Sequence, residues 1–412
     1  MKLGAIAALL LVSSATGVSR ADTDTAYVEQ TATIQALQAQ LMKLTARLDA
    51  LENEKSQTIT SSKPVVSARG AAQAKALEGI KFKGDFRFRQ ESFDIDGQAD
   101  RHRSRLRSRV TLLAPINEVV SVGFGLASGS SDPTSANQSL GAVSSSKQIN
   151  LDLAYVNWNV PNSDVSVQVG KFKNPLKRVG GTGLLWDGDV RPEGVTASYK
   201  KGSLFATGLG SWIDENKGDA DLILLGGQIG STFKLENNVS ILFGLGYYNI
   251  TASEGADSLF GEGDRAFFGN ASNNNRVDAN RRYLNGFQNI EGFAEIGIPT
   301  ELGKVTLFTD YIQNLDADDF DTGYSVGAKV KANKWSFGWE YRDLEADAVF
   351  AAFSDSDFLG GGTDGEGHIL KTGYALSKKI SLSSALFLND RNVDFGTEES
   401  FKRLMLDISF KH

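Results

Sequence analysis

The sequence predicts an all-β membrane protein: a transmembrane, antiparallel up-and-down β-barrel of about sixteen strands, preceded by a short N-terminal coiled-coil helix. Three observations lead there. Residues 101–109 read RHRSRLRSR, with arginine at every second position. Segments that alternate apolar and polar residues recur from Ile80 to the C-terminus. The joins between those segments are short and long by turns.

The chain opens with Met1-Lys2, an apolar run Ala5 to Val12, and Ser19-Arg20-Ala21, small residues where a signal peptidase reads. This is the pattern of a secretory signal over residues 1–21, so the chain is expected to be exported. The apolar run is far short of the ~20 residues a membrane helix needs, which favours cleavage over anchoring. Within residues 22–54, Ile34, Leu37, Leu41, Leu44, Leu48 and Leu51 alternate spacings of three and four, the a/d seam of a coiled coil. One such helix is marginal in water, so the seam predicts self-association in the periplasm, as a homotrimer, rather than a helix lying against its own barrel. It also offers an arm toward peptidoglycan. Residues 55–78, rich in Ser, Lys, Pro and Ala, read as a linker, and the barrel occupies 79–412.

From Ile80 the period becomes two. Ile80, Phe82, Phe86 and Phe88 face one way, and Lys81, Lys83, Asp85, Arg87 and Arg89 the other. The pattern recurs in Val239-Ile241-Phe243-Leu245-Tyr247, Trp335-Phe337-Trp339-Tyr341 and Leu404-Leu406-Ile408-Phe410. Strands are predicted near residues 80–91, 101–114, 118–127, 149–159, 164–173, 193–201, 203–213, 221–234, 238–250, 288–298, 303–315, 321–332, 334–345, 366–377, 379–390 and 400–411. Many are about ten residues long, enough for a tilted strand to cross a bilayer. Short turns fall after every even strand, and longer joins rich in Gly, Ser, Asn and Asp after the odd ones. That regularity, with both ends on the short-turn side, describes an outer-membrane barrel and not a soluble sandwich.

The arginine row then has one possible direction. Arg101, Arg103, Arg105, Arg107 and Arg109 share a face, joined by Arg87 and Arg89 on the preceding strand. An arginine facing lipid at mid-membrane costs about 2–4 kcal/mol, so several turned outward would cost on the order of 10 kcal/mol. The row must point inward. Neighbours about 6.6 Å apart repel by about 0.6 kcal/mol in water and about 2.5 kcal/mol at a dielectric of 20. A wet lumen and acids such as Asp85, Asp152 or Glu340 are therefore expected beside it.

The motifs LASGSSDPTSANQSLG (Leu126 to Gly141), LDLAYVNW (Leu151 to Trp158), VGKFKNPL (Val169 to Leu176) and LLWDGDVRPEGV (Leu184 to Val195) resemble the putative porins of Gram-negative bacteria. The resemblance covers nearly the whole chain and implies a passive outer-membrane diffusion channel for small hydrophilic solutes, in contact with lipid and lipopolysaccharide. Such barrels usually end on an aromatic residue, whereas here Lys411 and His412 follow Phe410. In sixteen-stranded porins the third long loop commonly folds inward. Here that is the loop of residues 174–192, carrying Lys177, Arg178, Asp187, Asp189 and Arg191 with four glycines. Its acids would face the arginine wall across a constriction, the alternative being a solvent-facing cap. The remaining loop acids, among them Asp355 and Asp357, read as solvated, with lipopolysaccharide-bridging cations as the functional alternative.

With the row inward, the channel is expected to show a modest preference for anions; the alternative is a selective anion channel for phosphate or an organic acid. A structural tether or adhesin is the rival from another class. No enzyme, cofactor, metal site or nucleic-acid partner is expected: cysteine is absent, and His102, His368 and His412 are the only imidazoles.

Overall fold

The computed structural model describes residues 79–218, 220–258 and 275–412, together with Ala39, Met42, Lys43, Ala46, Arg47 and Ala50. Those six N-terminal positions are helical and exposed. The seam from Ile34 to Leu51, the signal segment and the linker lie outside the described residues.

The strands are β1 (Lys81–Ile95), β2 (Arg101–Pro115), β3 (Val120–Ser128), β4 (Gln138–Ser139), β5 (Ile149–Asn159), β6 (Val165–Lys171), β7 (Glu193–Lys201), β8 (Leu204–Asp214), β9 (Leu222–Lys234), β10 (Ser240–Ile250), β11 (Phe287–Thr300), β12 (Gly303–Asn314), β13 (Thr322–Ala332), β14 (Trp335–Leu344), β15 (Gly365–Ala375), β16 (Ile380–Arg391) and β17 (Glu399–Lys411). All belong to one antiparallel sheet, which β1 closes by pairing with both β2 and β17. Setting aside the two-residue β4, sixteen strands form the barrel wall. At the seam Phe86 stands opposite Phe410, their rings 6.1 Å apart, and His412 exchanges backbone hydrogen bonds with Gly84.

Two local departures bear on the site. β1 runs to Ile95, beyond the expected residue 91, because Asp96 N–H continues the β17 ladder onto Ser400. β2 pairs with β3 only from Arg109 onward. Beside Arg105 and Leu106 it pairs instead with β4, so part of the join of residues 129–148 is stitched into the wall.

The period-2 pattern places apolar side chains outside. Ile229, Phe243, Leu245, Phe337, Trp339 and Leu406 are 62, 46, 65, 48, 41 and 50 % exposed, an apolar band of the kind a barrel turns toward lipid. Rings gather toward both ends of the strands, Trp335 with Tyr374 (4.7 Å) near the short turns and Tyr341 with His368 (5.1 Å) near the long loops. The short turns use residues that tolerate the left-handed region: Asn162, Asn238, Asn333 and Gly202 all have φ between 51° and 60°.

The interior is not empty. Loop 3 (residues 172–192) and loop 7 (residues 345–364) bury Leu184, Trp186, Val349, Phe350 and Phe358 against Tyr248, Phe287, Ile312 and Leu344. This apolar packing lies within the barrel, the reverse side of the lipid-facing band.

Candidate functional site

The arginine row lies on the face of β2 that meets loop 3, where Arg109 pairs with Asp189. Arg87 stands opposite Arg107 and Arg89 opposite Arg105, so like charges are direct cross-strand neighbours, an arrangement that needs compensation. Glu91 supplies most of it. It is fully buried, accepts a hydrogen bond from Arg403 at 2.7 Å and another from Arg103, and lies 3.6 Å from Arg89 and 3.8 Å from Arg105. Asp407 pairs with Arg89 at 2.8 Å, Asp85 with Arg107 at 2.8 Å, and Asp189 with Arg109 at 2.9 Å. Arg101, at the loop end, stacks on Phe93 instead, its guanidinium 5.8 Å from the ring centre. Of the acids expected beside the row, Asp85 and Asp152 are there, whereas Glu340 pairs with Arg342.

Loop 3 folds into the barrel, and all five of its singled-out residues are placed. Lys177 is tied through its backbone to Gln228, and Arg178 donates to the Trp186 carbonyl at 2.9 Å. Gly180, at φ 56°, presses on Phe308, whose ring atoms lie 2.4 Å from where a Cβ would stand, so the position requires glycine. Asp189 meets Arg109 of the arginine row, and Arg191 pairs with Asp152 at 3.2 Å. Asp187 does not reach the row. It accepts the Ser356 N–H at 3.1 Å and so joins loop 3 to loop 7.

Loop 7 corrects the expectation that its acids are solvated. Asp357 lies 3.2 Å from Arg89 and 3.0 Å from Arg403, and Asp355 lies 3.3 Å from the fully buried Arg342. Two loops, not one, narrow the lumen. Sequence reasoning missed Glu91, Arg342, Arg403 and Asp407. All four share the inward parity of the arginine row, which was the available signal.

Electrostatics in the loops follows these contacts. Burial, with Asp355 and Asp189 nearby, pushes the Asp187 carboxyl well above its ordinary range. Burial opposes charge at Asp189 and Asp357 too, but Arg109 and Arg107 outweigh it at the first, and Arg403 and Arg89 at the second, so both sit below the ordinary range. Asp187 therefore holds a proton in the folded state that the unfolded chain releases. Its contribution to stability is present at acidic pH and lost as pH rises from the ordinary carboxyl range through its raised pKa. Melting curves taken across that window should show wild type losing stability relative to Asp187→Asn as pH rises; parallel curves would contradict the assignment.

Of the cavities between loops and wall, three follow one another from the loop end toward the short turns. One of about 870 Å³ at the loop end is lined by Arg101, Arg105, Arg403, Ser135 and Gln138. It shares Thr134, Asn137 and Ser356 with a constriction of about 210 Å³ bordered by Arg87, Arg107, Arg178 and Asp355. That constriction shares Asp357 and Lys371 with a cavity of about 590 Å³ toward the short turns. Among the described residues no group of three His, Asp or Glu stands close enough to hold a metal ion. His102 pairs with Ser92 at 2.9 Å on the outer face.

Comparison with known proteins matches residues 94–283 and 309–412 to the family described as putative porin. Among solved structures, OprB of Pseudomonas putida in its high-pH form aligns at TM-score 0.57 and 13 % identity, over 84 % of this chain and 97 % of that one. Its low-pH form aligns at 0.50 and 11 %, over 85 % and 99 %. A loop-deletion mutant of Vibrio cholerae OmpT aligns at 0.47 and 13 %, over 81 % and 99 %. No curated protein matches the sequence.

Proposed function

The chain belongs to the putative porin family, and from that premise we propose that it forms a water-filled outer-membrane channel for passive diffusion of small hydrophilic solutes with a modest preference for anions. The observation that carries this reading is the succession of adjoining cavities, polar at the loop end and the constriction, between the arginine wall and loops 3 and 7, inside a barrel whose outer face is apolar. Arg87, Arg89, Arg101, Arg103, Arg105, Arg107 and Arg109 form its charged wall, and Lys177, Arg178, Asp187, Asp189 and Arg191 belong to the loop that narrows it.

The preference is modest because most of the ladder is ion-paired and because fields fall off within about 8 Å at physiological salt. The short turns and both barrel ends face the periplasm in this reading, the long loops face lipopolysaccharide, and the N-terminal seam holds three copies together with an arm toward peptidoglycan. A selective anion channel is the second reading, favoured by the small size of the constriction, whose wall sets Arg87, Arg107, Arg178 and Lys371 among Asp187, Asp189, Asp355 and Asp357. The test is conductance: purified folded barrel added to a planar bilayer should give discrete current steps whose reversal potential in a salt gradient lies on the anion side.

A further inference from the structure

The arginine row is largely ion-paired where it stands, so the anion preference proposed above calls for positive charge elsewhere in the lumen. Below the constriction the inward faces of the strands carry lysine after lysine. Lys304 of β12 stands directly opposite Lys331 of β13. Lys83 is level with inward Thr111, Lys200 with inward Phe205, Lys234 with inward Ser240, and Lys411 with inward Asp85. Higher up, Lys371 lies on the border between the constriction and the lower cavity, and Lys329 donates to the Gly180 carbonyl of loop 3.

The carboxylates that could balance these lysines are committed or few. Asp85 is held by Arg107, Asp407 by Arg89 and Glu340 by Arg342; Glu295, which accepts the Gly180 N–H at 2.8 Å, offsets Lys329 in part with its negative charge. Among the described residues none of these eight lysines has a carboxylate in ion-pair contact; the lysines that do, Lys171, Lys201 and Lys402, lie elsewhere. The turn carboxylates Glu118, Asp164, Glu236 and Glu301 are matched in number by Lys201 and the rim lysines Lys334, Lys378 and Lys379. The lumen below the constriction is thus a cationic funnel.

We infer that this lysine funnel, rather than the arginine row, is the specificity-determining element of the channel, and that it takes small, well-hydrated anions such as carboxylates and inorganic oxyanions by loose, repeated contact. The chemistry of the two residue types separates the roles. Arginine forks lock carboxylates in fixed geometry, which suits the paired wall, whereas ammonium groups on flexible stems remain hydrated and release an anion as readily as they attract it. The inference rests on the channel reading above and names the residues that would set its selectivity.

The test compares Lys304→Gln/Lys331→Gln/Lys371→Gln with Arg105→Gln/Arg107→Gln and with wild type, each confirmed as folded by heat-dependent mobility. One charge about 7 Å from the ion path changes the local anion concentration about 1.5- to 3-fold between screened and unscreened limits. The lysine variant should therefore lower the anion-to-cation permeability ratio several-fold, and the arginine variant should change it less. The corresponding triple Lys→Arg variant should keep the wild-type ratio, which follows the charge, but lower the conductance, because the guanidinium fork releases an anion more slowly. On wild type, inositol hexakisphosphate should block at lower concentration from the short-turn side than from the loop side. An unchanged ratio in the lysine variant, a larger change in the arginine variant, or symmetric block would overturn the inference while leaving the channel intact. Absence of current from folded wild type would instead overturn the channel reading itself.

Discussion

Replacing Glu91 by alanine is expected to destabilise the barrel by about 3–5 kcal/mol, the cost of removing one partner from a buried charge cluster. Glu91 has no exposed surface and touches Arg403, Arg103, Arg105 and Arg89. Without it Arg89 and Arg403 share Asp357 and Asp407, while Arg103 and Arg105 are left, among the described residues, with no carboxylate in ion-pair contact. Glu91→Gln keeps the shape and loses the charge, so it should fall nearly as far. The measurement is the temperature at which the folded barrel loses its heat-dependent mobility. A Glu91→Ala midpoint equal to wild type would show that water reaches the cluster and screens it.

Arg342→Ala should cost a similar amount, about 3–5 kcal/mol, for the same reason with the sign of the orphaned charge reversed. Arg342 is fully buried, 2.8 Å from Glu340 and 3.3 Å from Asp355, and its guanidinium covers the Phe358 ring at 4.6 Å. It ties the barrel wall to loop 7, and Thr182, which donates to Glu340 at 2.7 Å, brings loop 3 into the same contact. The variant should therefore also loosen both loops, seen as larger current fluctuations in the open state. Arg342→Lys retains the charge but not the fork, so it should recover only part of the loss. A variant as stable and as quiet as wild type would remove Arg342 from this role.

The barrel was legible because its signal is repetitive. Alternation in segments such as Trp335 to Tyr341, and the difference between the Asn333 turn and the long joins, each recur around the whole wall. The inward direction proposed for Arg101 to Arg109 rests on the cost of the alternative. What the sequence hid was pairing. Arg403 and Glu91 are 312 residues apart and meet only because β1 closes against β17. Loop 7 was misread for a related reason. Asp355 and Asp357 sit among Ser and Gly, the composition of a solvated loop, and what draws them inward is Arg342, Arg89 and Arg403 on three different strands. Long-range charge pairing leaves no local pattern to read.

The path between the arginine wall and loops 3 and 7 is most directly tested by single-channel recording of the folded wild-type barrel in a planar bilayer. Stepwise, long-lived conductance in symmetric potassium chloride, with a reversal potential on the anion side in a salt gradient, is the predicted result. Folded barrel that inserts, as judged by protease protection, yet gives no current steps would mean that the two loops close the lumen, and would contradict it.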